Sequence, residues 1–202
     1  QRALDALARA GLIYPCCCNR ADIAQAAAAP QEGVPEFGPD GRIYPGTCRH
    51  RSLSQARPGD ALRLDMRKAV KALQKPVTYE EFGEQHSKRI TLKAEALIVQ
   101  VGDVVLRRKD QGAAYHLAVV IDDDAQNITD VVRGADLNAA TQIHVVLQQL
   151  LNIPTPRYHH LALIRDETGK RLAKRSDPEA LSSLRKAGHS AQDITERLFS
   201  TP

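Results

Sequence analysis

Cys16, Cys17 and Cys18 stand side by side near the start of the chain, and Cys48, the remaining cysteine, follows Tyr44 at the spacing Y-x3-C. Four cysteines arranged this way do not make a sensible disulfide framework, so metal binding is the better reading in a reducing compartment. A C-x-C pair can place two sulfurs on one ion, with a second pair brought back by chain reversal. On the residues alone the choice stays open, because clustered cysteines also pack as small apolar side chains. Cys17 and His50 are alternative donors beside Cys16, Cys18, Tyr44 and Cys48.

Two further stretches carry chemistry. Ile128 to Val132 has the composition of a short strand and runs into Arg133-Gly134 directly before a helix, with Asp136 placed to cap it. This sets a permanently charged, planar cation at the carboxyl end of a strand, where open α/β sheets bind ligands. Taken alone, Arg133 is more often an ordinary ion-pair arginine. Beyond the expected last strand, Tyr158 to Ile164, come Lys170, Arg171, Lys174 and Arg175. So dense a cluster of cations suits a polyanion, although a solvated basic loop is the blander reading.

The elements that must hold these residues follow from periodicity. Residues 2 to 10 predict a helix closed by Gly11, and Asn19 or Arg20 opens a second one. The alanine, proline and glycine stretch from Ala24 to Gly41 reads as an irregular insertion. ALRLDMRKAV alternates through Leu62, Leu64 and Met66 and predicts a strand. PVTYEEF and AEALIVQ read as further strands, divided by the charged stretch around Lys88 and Arg89. Ala114, Leu117, Ala118 and Ile121 recur on one helical face, so Tyr115 opens an amphipathic helix that stops near Asp122, Asp123 and Asp124. A helix over 136–151 follows, with Pro154 and Pro156 barring continuation. Two short helices close the chain, with Asp177 and Ser190 as caps and Gly188 between them.

The 202 residues are 43% apolar and 26% charged, with a net charge of +4. That is ordinary for a soluble globular protein and compatible with an RNA partner. No run approaches the roughly 18 apolar residues of a membrane span. The opening QRALDALARAGLIYP lacks a signal peptide's order of basic then apolar residues, so a cytoplasmic protein with no membrane partner is expected.

The segment from Tyr115 through VVRGADL resembles the second half of the catalytic domain of glutamyl-tRNA synthetases, and most of all their short paralogues, the glutamyl-queuosine tRNA(Asp) synthetases. Gly102, Asp103, Leu106, Arg107, Arg108 and Asp110 follow the family's approach to this helix. Arg171-Leu172-Ala173-Lys174-Arg175 lines up with the second class I signature, KMSKS, with arginine in place of its first lysine and alanine in place of serine. The resemblance implies that Tyr115 and Arg133 bind glutamate and that Lys174 contacts ATP phosphates within the 171–175 loop. It also implies that Cys16, Cys18, Tyr44 and Cys48 hold a structural zinc ion, with Cys17 packing beside them.

The fold so implied is α/β, a class I Rossmann-like fold, mainly its second half, with a zinc-binding segment and a connective insertion. The expected boundaries are 1–52 for the first helix and zinc segment and 53–101 for the insertion. The second half of the nucleotide-binding fold with the KMSKS-like loop takes 102–175, and the C-terminal helices 176–202. The implied reaction is ATP-dependent activation of glutamate, with magnesium, and its transfer by a monomer to queuosine in the anticodon of tRNA(Asp). The family's HIGH signature is not found in these residues, and the chain opens on Gln1 rather than methionine; both fit a chain lacking the N-terminal, HIGH-containing part. A zinc-stabilised RNA-binding module without catalysis, or a fragment of a discriminating glutamyl-tRNA synthetase, is the competing reading.

Overall fold

The computed structural model describes residues 1–27, 35–82, 87–109, 112–165, 169 and 181–199, the last three by their backbone alone. Two compact units divide the chain, Gln1–His160 and Leu161–Pro202.

In the first unit, helix α1 (Arg2–Arg9) turns Leu4 and Leu7 into the core and is closed by Gly11, whose φ of +68° favours a residue without Cβ. Strand β1 (Ile13–Cys16) follows, an element the sequence did not predict between the first two helices. It pairs antiparallel with β4 (Ala61–Leu64), Ile13 against Leu64 and Cys16 against Ala61. All four residues of β4 are buried, Arg63 included. The predicted alternation through Met66 is therefore wrong. Asp65 accepts a hydrogen bond from the Lys68 amide and starts helix α3 (Met66–Ala72) instead, and a cap of this kind outweighs a weak strand pattern.

The remaining predictions for 75–101 also need correction. Strand β5 (Val77–Phe82) forms as expected, but the charged stretch after it is itself a strand, β6 (Ser87–Leu92), paired antiparallel with β5. AEALIVQ is helical: α4 (Ala94–Ala96) runs on as a π turn over Leu97–Val101, with Leu97 and Val101 buried. Strand β7 (Val105–Arg108) lies against β4, and β8 (Gly112–Ala113) against β7, giving the sheet order β1-β4-β7-β8.

The second sheet is mixed, in the order β6-β5-β10-β9, with β10 (Arg157–Leu161) parallel to β5 and β9 (Asp130–Gly134) next to β10. Helix α5 (Tyr115–Ala125) buries His116, Leu117 and Val120, with Ala114 buried just before it. The predicted face is thus rotated, because Ala118 and Ile121 are only half-buried. Helix α6 (Thr141–Leu150) begins later than predicted: a 3-10 turn over Ala135–Leu137 precedes it, and Ala140 rather than Asp136 occupies the cap position. Ile143, Val146 and Leu147 of α6 are fully buried in the common core.

Between β1 and β4 lie helix α2 (Arg20–Ala26), capped by Asn19, and a small hairpin of β2 (Phe37–Gly38) and β3 (Gly41–Arg42). The second unit holds α7 (Leu181–Lys186) and α8 (Ala191–Phe199), where Ser190 and Asp193 bond reciprocally to each other's backbone amides. The KMSKS-like stretch 171–175, with Lys174, and also Asp110 and Asp177 lie outside the described residues. Among the described residues no helix is long and apolar enough to cross a membrane.

Candidate functional site

Cys16 closes β1, Cys18 precedes the Asn19 cap of α2, and the chain returns after the hairpin with Tyr44 and Cys48. The Cys16, Cys18 and Cys48 sulfurs lie within 4.8 Å of one another. Cys18 Sγ is 3.5 Å from Cys48 Sγ, and the Tyr44 hydroxyl is 3.4 Å from both Cys16 Sγ and Cys18 Sγ. Around a tetrahedral zinc ion, ligand bonds of about 2.3 Å to sulfur and 2.0 Å to oxygen put ligand atoms about 3.5–3.8 Å apart. These three separations match those of a closed tetrahedral site, and the remaining sulfurs converge within 4.8 Å. Cys17 is exposed, its sulfur 3.7 Å from Cys48 Sγ.

Burial raises the Cys48 thiol pKa, yet hydrogen bonds from the Tyr44 hydroxyl and the backbone and thiols of its neighbours bring it down to about 6. A thiolate is the form in which a cysteine binds a metal, and Cys18, its pKa pushed up to about 11 first by burial, would have to lose its proton to the ion. The Tyr44 phenol is likewise pushed well above its ordinary range, first by burial and then by the cysteines around it.

Asp103 anchors this segment from below. Only 3% exposed, it accepts from the Tyr14 hydroxyl at 2.5 Å, Arg49 Nε at 2.8 Å and the Met66 amide at 2.9 Å. Its carbonyl accepts from Arg63, whose guanidinium lies 4.0 Å over the Tyr44 ring. The sequence placed Asp103 only in the family-like approach to α5 and gave no sign of these partners.

Tyr115 is the first residue of α5 and is 45% exposed, its ring edge-on to His116 and His144 at 5.3 and 5.7 Å. Arg133 reaches the same His144 from β9, through Nη1 to Nδ1 at 3.2 Å. The guanidinium also donates from Nε to His160 Nε2 at 3.1 Å, and from Nη2 to Thr141 Oγ1 at 2.6 Å and Leu137 O at 3.2 Å. Its charge sits 5.3 Å from the centre of the Tyr158 ring. The structure thus brings Tyr115 and Arg133 to one imidazole. All four of these acceptors are neutral, so they orient the cation without cancelling it.

His144, missed in the sequence reading, is 2% exposed. Burial, then the electrostatic influence of the neighbouring His116, Arg133 and His160, lowers its pKa to about 3. An unfolded histidine titrates near 6.5. Below that pH the unfolded chain binds a proton that the folded chain refuses, so this contribution to stability is whole above about pH 6.5 and declines as the pH falls toward 3. Between pH 7 and pH 5 the loss is expected to be about 2 kcal/mol. Urea unfolding at the two pH values checks this, since His144→Phe should lack that increment; an undiminished loss in the variant would refute the assignment.

A cleft of about 910 Å³ separates the cysteine segment from the start of α5, with Arg20, Arg42, Arg63, Arg108 and Lys109 among its walls and Tyr115 and His116 at its edge. Five cations outnumber the three carboxylates of Asp40, Asp103 and Asp136 in this lining, a balance that favours an anionic ligand.

A profile described as the catalytic domain of class I tRNA synthetases, E and Q, matches residues 4–198. The chain belongs to this family. Among its relatives is the glutamyl-Q tRNA(Asp) synthetase of Rhodobacter capsulatus, 51% identical over 195 residues, which are 95% of this chain and 68% of the relative. The proteins of the same name from Albidiferax ferrireducens and Geobacter sulfurreducens are 37% and 40% identical, each over 91% of this chain. The chain spans 61% and 52% of those two relatives. The class I synthetase fold is seen again in a glutamate tRNA ligase from Elizabethkingia meningosepticum in complex with its amino acid, at a TM-score of 0.58 and 20% identity, over 93% of this chain and 36% of that one.

Proposed function

We propose that this class I chain contributes the glutamate-binding and zinc-bearing part of a ligase that activates glutamate with ATP and transfers it to queuosine in the anticodon of tRNA(Asp). The names of the relatives support the substrates, and the arrangement around Arg133 supports the chemistry. Four of the five guanidinium N–H groups are committed to neutral acceptors. The fifth, on Nη1, has no hydrogen-bond partner among the described residues, and the exposed Tyr115 ring packs edge-on against the same His144 that Nη1 contacts. That single observation carries the reading: a cation oriented but not neutralised is the partner an acidic side chain needs. The contact is then through one N–H, not the two-pronged fork that the residue type alone suggests.

In the proposed first step a carboxylate oxygen of glutamate attacks the α-phosphorus of ATP, forming the acyl adenylate and expelling pyrophosphate with its magnesium. No protein nucleophile is needed, so rate comes from positioning and charge. Arg133 and Tyr115 bind glutamate, and Lys174 retains its role toward the phosphates. Cys16, Cys18, Cys48 and Tyr44 hold zinc as a purely structural brace, since four protein ligands leave no open position. The cationic cleft is available to ATP or tRNA.

Glutamate-dependent exchange between ATP and pyrophosphate, measured in the longest available form of the protein, tests the reaction. Binding of tRNA without exchange would favour an RNA-binding module. Arg133→Ala is expected to weaken glutamate by about 10–100-fold, the worth of a lost charge-assisted hydrogen bond, while leaving ATP nearly unchanged. Equal weakening of both ligands would reject the role.

A further inference from the structure

Arg133 sits in the middle of a line of polar groups that runs from Asp40 to Glu81. A guanidinium has no acceptor, so each imidazole nitrogen facing it must present a lone pair. His144 Nδ1 and His160 Nε2 are those nitrogens, at 3.2 and 3.1 Å. Neutral His144 therefore carries its proton on Nε2, 3.0 Å from His116 Nδ1. His116 in turn must bear its proton on Nε2, 3.2 Å from Asp40 Oδ1. On the other side His160 holds its proton on Nδ1, 2.8 and 2.9 Å from the two oxygens of Glu81. The Asn138 amide is placed with Nδ2 3.3 Å from that nitrogen, and this tautomer requires the amide flipped so that its oxygen faces the N–H.

We infer that His116, His144 and His160, anchored at the ends by Asp40 and Glu81, are positioning residues whose tautomers Arg133 dictates and which together fix its guanidinium in one orientation. Their burial makes the lock effective: His116 and His144 are 5% and 2% exposed, and the His160 side chain 2%. Water has little access to offer any of them an alternative partner. Glu81 stands one imidazole away from the cation and Asp40 two, so the network holds Arg133 without placing a negative charge on it. A protonated His144 or His160 would turn an N–H on the arginine's own donor, and the line would break at that point. The consequence for glutamate rests on the reading of Arg133 given above; the tautomers do not.

The test is a long-range proton–nitrogen correlation spectrum of the chain with ¹⁵N-labelled histidine at neutral pH, which distinguishes Nδ1–H from Nε2–H at each ring. His116 and His144 are expected as Nε2–H and His160 as Nδ1–H. Finding His144 as Nδ1–H, or His160 as Nε2–H, in the unaltered chain overturns the proposal whether or not any variant folds. Glu81→Gln keeps an acceptor for the His160 Nδ1–H and should retain its tautomer, whereas Arg133→Met should release His144 and His160 into mixtures. A variant with all three tautomers intact after loss of the guanidinium also overturns it. Glutamate added to the unaltered chain should shift the His144 Nδ1 resonance. The expected tautomers with no response to glutamate would keep the lock and remove the substrate role of Arg133.

Discussion

Asp103→Ala should destabilise the fold by about 3–5 kcal/mol, the range for removing one partner from a buried charged network. The carboxylate is nearly sealed from solvent and satisfies a phenol, a guanidinium and a backbone amide on three separate segments. Alanine leaves the Tyr14 hydroxyl and the Met66 N–H buried without an acceptor, each a desolvation cost of about 1–3 kcal/mol. Burial, followed by the charge of Asp103, drives the Tyr14 pKa far upward, so the phenol stays a donor at every pH of interest. Tyr14→Phe, which removes a donor and leaves Asp103 two partners, should cost only about 1 kcal/mol. Denaturant unfolding separates the two. A loss below about 1 kcal/mol for Asp103→Ala would mean that the pairs behave as surface ion pairs, and the anchoring role would fall.

Purification without added metal should yield close to one equivalent of zinc, and stripping it should lower stability by about 4 kcal/mol relative to a thousandfold excess of free zinc over its dissociation constant. The geometry distinguishes the ligands. Cys16→Ser, Cys18→Ser and Cys48→Ser each remove a sulfur from the converging set, whereas Cys17→Ser removes an exposed sulfur outside it. Zinc content should collapse in the first three and persist in the fourth. If Cys17→Ser loses the metal and Cys16→Ser keeps it, the tetrad is misassigned. Tyr44→Phe should weaken zinc while leaving the thiolates able to bind it, because the phenol supplies the one oxygen of the set.

Spacing made some of this legible and left the rest hidden for physical reasons. The C-x-C and Y-x3-C pairs are local, so the sequence shows their reach directly. Leu97 and Val101 recur at a helical interval from within AEALIVQ to the residue after it, the signal that a continuous apolar run obscured. Ile90 and Leu92 alternate with exposed residues, a strand signal masked by Lys88 and Arg89. No local pattern could show that Arg133 meets His144 and His160, because those partners arrive on a helix and on the neighbouring strand. The anchoring role of Asp103 was invisible for the same reason: its partners Met66, Arg49 and Tyr14 lie 37, 54 and 89 residues away in the chain.

That last separation bears on how the molecule is assembled as it leaves the ribosome. Synthesis proceeds from the amino end, so all four proposed metal ligands, the last of them Cys48, have been translated before Asp103 exists. The proposed metal segment is thus complete first, and the carboxylate that clamps Tyr14 and Arg49 arrives later, as a latch upon it.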